Sequence, residues 1–139
     1  MSFEEKGTWA YMIVVLVVSG IYFASVLSQV GQVSVDEIKY IRPLITAIIA
    51  TIVATIAGYI VAAISAPSEA DKKDERDKDI DRFGGSVGFT VLGVMNLLPL
   101  GLAMAEVEQF WIANAIFLAG VVAATVSSIF KIVAYRRGL

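Results

Sequence analysis

Residues 44–66 read LITAIIATIVATIAGYIVAAISA, an uncharged and largely apolar run of 23 residues that decides the fold class. A helix needs ~20 predominantly apolar residues to cross the hydrocarbon core of a bilayer, so this run predicts a membrane-spanning helix. Three further apolar runs of similar length lie at 8–29, 84–105 and 110–130. The sequence therefore predicts an all-α, polytopic membrane protein whose four transmembrane helices form one bundle and a single domain, 1–139.

The composition limits the chemistry that this chain can carry. Apolar residues make up 58% of the sequence, and the mean hydropathy is +0.77. The absence of Cys and His removes thiolate chemistry and disulfides, together with the commonest general base and metal ligand. A net charge of −2 argues against direct contact with nucleic acid. We expect no catalytic residues, no bound metal and no cofactor, and hence no enzyme.

Lysine and arginine are distributed unevenly between the two ends of the predicted helices. Nine lie at the end that holds both termini and the connection 67–83, whereas only Lys39 and Arg42 lie at the other end. Cytoplasmic loops carry the excess of Lys and Arg in membrane proteins. We therefore expect both termini to be cytoplasmic and the protein to reside in the inner (cell) membrane of a prokaryote.

Small residues recur at a spacing of four in two of the predicted helices. Helices in lipid associate largely through close backbone contact, which small side chains allow. The pattern predicts helix packing within the bundle or in a homo-oligomer. The residues assigned to packing are Ala50, Ala54, Gly58, Ala119 and Ala123.

Few polar side chains lie deep in the apolar runs. Asn96 precedes Pro99, whose ring should distort the third helix, and Asn114 lies in the fourth. The simpler interpretation is hydrogen bonding between helices. The alternative is that Asn96, Asn114, Thr51 and Thr55 line a polar path through the membrane.

The connection 67–83 is the most strongly charged segment. Ser68, followed by acids, resembles an N-cap, so we expect a short cytoplasmic helix that ends or bends at Gly84-Gly85. Acidic and basic residues nearly balance, which suits the docking of a protein partner better than the binding of anionic lipid. The residues assigned to docking are Asp74, Glu75, Arg76, Asp77, Lys78, Asp79, Arg136 and Arg137.

Two short motifs carry a family resemblance. The segment D-E-R-D-K-D-I at 74–80 and the Y-R-R-G at 135–138 resemble those of small uncharacterised bacterial membrane proteins with four helices. The resemblance implies a four-helix fold with no assigned activity. Members of this group are often encoded beside a helix-turn-helix regulator, which implies a soluble regulatory partner.

Three functional hypotheses follow from the sequence. The first is a non-enzymatic regulatory or scaffolding protein that docks a soluble partner at the inner membrane face. The second is a small oligomeric transporter or channel. The third is an accessory subunit of a larger membrane complex.

Overall fold

The computed structural model describes residues 1–70 and 73–138, and the secondary structure of this part of the chain is helical. Four helical segments are long and apolar enough to cross a membrane. The third of these segments is divided into two helices. In chain order the elements are α1 (Phe3–Leu27), a 3-10 turn (Val35–Glu37), α2 (Ile41–Ser65), α3 (Glu75–Met95), α4 (Leu97–Met104) and α5 (Gln109–Arg137).

The helices pack as a series in which α1 and α5 are central. Helix α1 packs against α2 on one side and α5 on the other, and α5 also packs against α3 and α4. Within the described residues, no packing of similar extent joins α2 directly to α3. Helix α2 and the α3–α4 segment are therefore the two edges of the assembly, and most of their apolar side chains face outward.

The two ends of the molecule differ in character. The end that holds the N-terminus, the C-terminus and the start of α3 is rich in charge, and we call it the termini end. The opposite end holds the turn between α1 and α2 and the turn between α4 and α5, and we call it the hairpin end. A core of Tyr22, Val26, Ile38, Ala47 and Phe110 is buried near the hairpin end.

The segment 67–83 was expected to be a loop containing a separate short helix that ends or bends at Gly84-Gly85. This expectation is wrong, because residues 75–83 are the first part of the long helix α3. Helix α3 begins at Glu75 and continues without a break through Gly84 and Gly85. Asp74, not Ser68, is the N-cap: its carboxylate accepts from the Asp77 N–H at 2.7 Å, and the Asp77 carboxylate accepts from the Asp74 N–H at 3.2 Å. This reciprocal capping satisfies two free N–H groups and fixes the helix start.

The helix break predicted near Pro99 lies at Asn96, between α3 and α4. Pro99 has no N–H and cannot donate to the Met95 carbonyl four residues earlier. The chain resumes helical bonding at once, since the Leu100 N–H donates to the Asn96 carbonyl at 3.2 Å. The break therefore interrupts the third apolar segment without ending it.

Candidate functional site: the termini end

An ion pair joins the first turn of α1 to the last turn of α5. The Arg136 Nε donates to the Glu5 carboxylate at 3.0 Å, and Glu5 is only 7% exposed. A carboxylate removed from water in this way is stable as a charge only beside a partner. The pair therefore holds the N-terminal and C-terminal helices together at this end.

Asp81 of α3 is the centre of a second charged cluster. It accepts from Lys131 of α5 at 3.0 Å and also from Lys73, which precedes α3. Lys73 additionally lies 4.0 Å from Glu4 of α1. The hydrogen bond to Asp81 raises the pKa of Lys73, and the nearby carboxylates of Asp81 and Glu4 add to the rise. One carboxylate thus connects three parts of the chain.

The start of α3 is also tied directly to the end of α5. The Arg76 guanidinium donates to the Tyr135 carbonyl at 3.0 Å, across 59 positions of sequence. Asp77 is only 7% exposed, and its carboxylate accepts from the Asp74 N–H in the capping pair. These contacts use side chains that the sequence suggested were free for a partner.

Close backbone approach continues this connection along α3 and α5. The Ser127 hydroxyl donates to the Gly84 carbonyl at 2.7 Å. A Cβ at Gly84 would overlap the stem of Lys131, and one at Gly88 would lie 3.0 Å from the Ser127 Cβ. Gly84 and Gly88 therefore form a G-x-x-x-G surface that brings the two backbones together, as small residues do between helices in lipid.

One face of the first two turns of α3 points away from the rest of the molecule. Glu75, Lys78, Asp79 and Arg82 occupy positions i, i+3, i+4 and i+7, and all four are exposed. Glu75 pairs with Lys78 at 2.7 Å and Asp79 lies 3.9 Å from Arg82, so their contacts remain within the face. We call these four residues the charged stripe.

The residues assigned to docking therefore divide into two groups. Asp74 and Asp77 cap the start of α3, Arg76 bonds to α5, and Arg136 bonds to α1. The other four are exposed and, among the described residues, make no ion pair or side-chain hydrogen bond with another helix: Glu75, Lys78, Asp79 and Arg137. Sequence reasoning missed Asp81 and Lys131, because an ion pair across 50 positions leaves no local pattern.

The four polar residues assigned to a path have separate surroundings. Asn114 is buried, accepts from the Tyr22 hydroxyl at 2.7 Å and donates to the Phe110 carbonyl at 2.8 Å. Asn96 is half-buried at the break between α3 and α4. Thr51 donates to the Ala47 carbonyl of its own helix, whereas the Thr55 hydroxyl is enclosed and has no partner among the described residues.

The five residues assigned to packing differ in their burial and contacts. Ala119 and Ala123 of α5 are buried. A Cβ at Gly58 of α2 would lie 3.5 Å from Ala10 of α1, so this glycine faces its neighbour. Ala50 and Ala54 are half-buried.

Comparison with known proteins adds no relative to this picture. The chain matches no family profile, and neither the curated proteins nor the solved structures contain a similar chain. Among residues 1–70 and 73–138, no group of three acidic side chains is placed to hold a metal ion. The contacts at the termini end are therefore the observations on which a function must be argued.

Proposed function

We propose that this protein is a non-enzymatic, multi-pass membrane protein that holds or regulates a soluble partner at the cytoplasmic membrane face. The docking surface consists of the charged stripe of α3 together with Arg137, which lies in the last turn of α5 at the same end of the molecule. The observation that supports this assignment is the exposure of the stripe on a helix whose opposite face is fixed to α5. The partner would be a soluble regulatory protein, which is what the resemblance of the motifs at 74–80 and 135–138 to those of small bacterial membrane proteins implies.

A fixed charged helix suits recognition for a physical reason. Residues 75–82 extend over about 12 Å of helix, and the contacts of Arg76, Asp77 and Asp81 hold this segment in place. A partner that binds it does not have to order it, so less binding energy is lost to conformational entropy. Alternating charges then select a partner with the complementary pattern.

The orientation belongs to the same proposal. The Glu5–Arg136 pair joins the two terminal helices at one end, and eight of the ten Lys and Arg residues in the described part of the chain lie at that end, which favours the cytoplasmic side. Because the chain has no Cys, Ser2→Cys and Gln32→Cys each introduce a single thiol. In intact cells a membrane-impermeant maleimide should label the Gln32→Cys variant and spare Ser2→Cys. The reverse pattern would place the charged stripe outside and end the docking proposal.

Docking is tested by charge reversal confined to exposed positions. Asp79→Lys with Arg82→Glu inverts half of the stripe without touching a contact to α1 or α5. A soluble protein that co-purifies with the wild-type chain from native membranes should be lost from this variant. Glu37→Lys, at the hairpin end, is the matched control and should keep it. A partner retained by both variants, or none in the wild type, would contradict the proposal.

The two alternative functions, transport and a role as an accessory subunit, also require that the four apolar helical segments lie in a membrane. A transporter would need a polar path, and the groove that contains Thr51 is lined mainly by apolar side chains and contains none of Asn96, Asn114 or Thr55. An accessory subunit would use the outward apolar faces of α2 and of the α3–α4 segment. We favour docking because the charged stripe is a feature that neither alternative requires.

A further inference from the structure

Asn96 carries a side-chain amide that the rest of the chain leaves unpaired. Among residues 1–70 and 73–138, neither of its polar atoms makes a hydrogen bond, and neither atom is enclosed. Asn114, by contrast, is buried and bonded to Tyr22 and Phe110. The fold therefore satisfies the amide of Asn114 and leaves that of Asn96 for a group outside the chain.

Asn96 lies near the middle of the apolar layer. Gly88 of α3 lies against Ser127 of α5, and Asn96 follows Gly88 by eight residues, about 12 Å of helix toward the hairpin end. Because α3 and α5 run antiparallel, Asn96 is level with about position 119, close to the centre of the apolar run 110–130. Neither water nor lipid head groups reach the middle of the hydrocarbon, so an unpaired amide there is costly.

The surface on both sides of Asn96 along the third segment faces away from the other helices. Leu100 lies one helical turn after Asn96, since its N–H donates to the Asn96 carbonyl, and it is 56% exposed. Phe89 lies two turns before Asn96 on the same side of α3 and is 79% exposed. Gly85, one turn before Phe89, is exposed as well. We call Gly85, Phe89, Asn96 and Leu100 the Asn96 face.

We propose that two copies of this chain associate through the Asn96 face, with the Asn96 amides of the two copies hydrogen-bonded to each other. A side-chain amide carries both donors and an acceptor, so one asparagine can pair reciprocally with another. Copies of one chain enter the membrane in the same orientation, because the same distribution of Lys and Arg directs each of them. A two-fold axis relating two copies is therefore perpendicular to the membrane, and it brings each Asn96 to the depth of its equivalent.

A second copy satisfies this face better than any other occupant. A lipid chain would cover the apolar side chains, but it has no group that could pair with the amide at this depth. Polar side chains of neighbouring helices do form such pairs within membranes. A different membrane protein would need a polar residue at the same depth and on a matching face, whereas a second copy has one by identity.

The pairing leaves the charged stripe accessible. Lys78 lies on the same side of α3 as Asn96, 18 residues or about 27 Å nearer the termini end. Two Lys78 side chains opposite each other would repel, so the two α3 helices should cross at Asn96 and diverge toward the termini end. This inference depends on the membrane embedding proposed above. It does not depend on the docking role or on which face is cytoplasmic.

Energy transfer between labelled chains in liposomes tests the association. Because the chain has no Cys, Gln32→Cys gives every variant a single site for a donor or an acceptor dye. Transfer measured over a series of protein-to-lipid ratios gives the dissociation constant of the dimer. Asn96→Leu should raise this constant about tenfold, because the interhelical hydrogen bonds of the amide pair are lost. Asn96→Gln keeps an amide, and its constant should lie between those of the wild type and Asn96→Leu.

Thr90→Val is the matched control for the loss of a polar side chain. Thr90 is exposed on a different side of the same helix, and its hydroxyl already donates to the Ser86 carbonyl at 3.0 Å. Its removal takes nothing from a second copy, so the dissociation constant should be unchanged. Circular dichroism in the same liposomes confirms that each variant keeps its helical content.

Disulfide formation in native membranes tests the face while leaving Asn96 intact. Leu100→Cys lies one turn from Asn96 on the Asn96 face, so oxidation with copper phenanthroline should link it to the same position of a second copy. Val94→Cys is the control. Val94 is 62% exposed at a similar depth, but it lies on the other side of the helix and should remain unlinked.

Three results would overturn the inference. The first is a wild-type chain that stays monomeric at every protein-to-lipid ratio. The second is association of Asn96→Leu as tight as that of the wild type. The third is disulfide formation by Val94→Cys and not by Leu100→Cys. None of these results bears on docking, since the docking proposal fails when the charged-stripe variant keeps its partner, whether the chain is a monomer or a dimer.

Discussion

Gly88→Ala tests whether the close approach of α3 and α5 stabilises the fold. The added Cβ would lie 3.0 Å from the Ser127 Cβ and 3.5 Å from the Ala123 carbonyl oxygen. Ser127 cannot move its Cβ by changing rotamer, and its hydroxyl is bonded to the Gly84 carbonyl one turn away. We therefore expect the two helices to separate slightly and to lose contacts along this surface.

The size of the effect follows from two opposing contributions. Overpacking a close contact costs about 1–3 kcal/mol, whereas replacing a helical Gly by Ala gains about 0.5–1 kcal/mol. The expected loss in free energy of unfolding is therefore about 0–2.5 kcal/mol. Gly93→Ala, on the same helix but in open space, should gain helix propensity without the clash. Because the propensity contribution is common to both variants, their difference isolates the packing cost of about 1–3 kcal/mol.

The assay is equilibrium unfolding in mixtures of sodium dodecyl sulfate and dodecyl maltoside. Fluorescence of Trp9 and Trp111 reports the transition, and far-ultraviolet circular dichroism reports helix content. The midpoint of Gly88→Ala should fall below that of the wild type, and that of Gly93→Ala should not. Equal midpoints for the two variants would refute the reasoning, since they would show that α3 does not approach α5 closely at Gly88.

Three further predictions concern single contacts. Tyr22→Phe should cost about 0.6–1.7 kcal/mol in the same unfolding assay, and Asn114→Leu should cost more, because it also removes the bond to the Phe110 carbonyl. The double variant should cost little more than Asn114→Leu alone, because that change has already removed the bond that Tyr22 makes. Asp81→Asn should lower the pKa of Lys73 toward the ordinary lysine value, because the hydrogen bond to Asp81 is the largest cause of the raised pKa. NMR titration of ¹³C-labelled lysine measures this pKa, and an unchanged value would contradict the prediction. Gly138→Ala should destabilise the last turn of α5 by about 1 kcal/mol, because Gly138 has a left-handed backbone with φ of 72°. The expected result is faster amide exchange at residue 138 without loss of global stability.

Sequence reasoning was most successful where hydropathy alone decides the outcome. The four apolar runs correspond to four helical segments, because a run such as 44–66 contains no charge that could place it in water. The break in the third segment was also foreseeable, since Pro99 lacks the N–H that helical bonding requires. Neither inference needs knowledge of which helices are neighbours.

The start of α3 was misread for an identifiable reason. Hydropathy falls sharply over 75–83, so the segment resembled a loop, and Gly84-Gly85 resembled a helix end. The local signal was present in Asp74 and Asp77, whose spacing of three is that of a capping box with Asp in the second position. The segment 67–83 contains several other acidic residues, so the spacing of this pair did not by itself indicate a helix start.

Contacts between residues far apart in the chain could not be predicted from local sequence patterns. Nothing near Arg76 indicates that it bonds the carbonyl of Tyr135, and nothing near Glu5 indicates Arg136. Such pairs depend on which helix ends meet, and that depends on packing. For this reason the docking residues that bond to other helices could be separated from the rest only in the structure.

The order in which the helices pack has a consequence for biosynthesis. Helix α1 pairs with α2, the next helix to be made, and α3 and α4 pair with α5, so two hairpins can form from neighbouring parts of the chain. Among the described residues, the packing of α1 against α5 joins the first helix to be made to the last. The partners of the Tyr22 hydroxyl and the Glu5 carboxylate are Asn114 and Arg136, both in α5. We expect these two groups of the first hairpin to remain unpaired until α5 has been synthesised. Chains arrested before residue 114 should therefore remain open to degradation, and completion of the last helix is the event that closes the molecule.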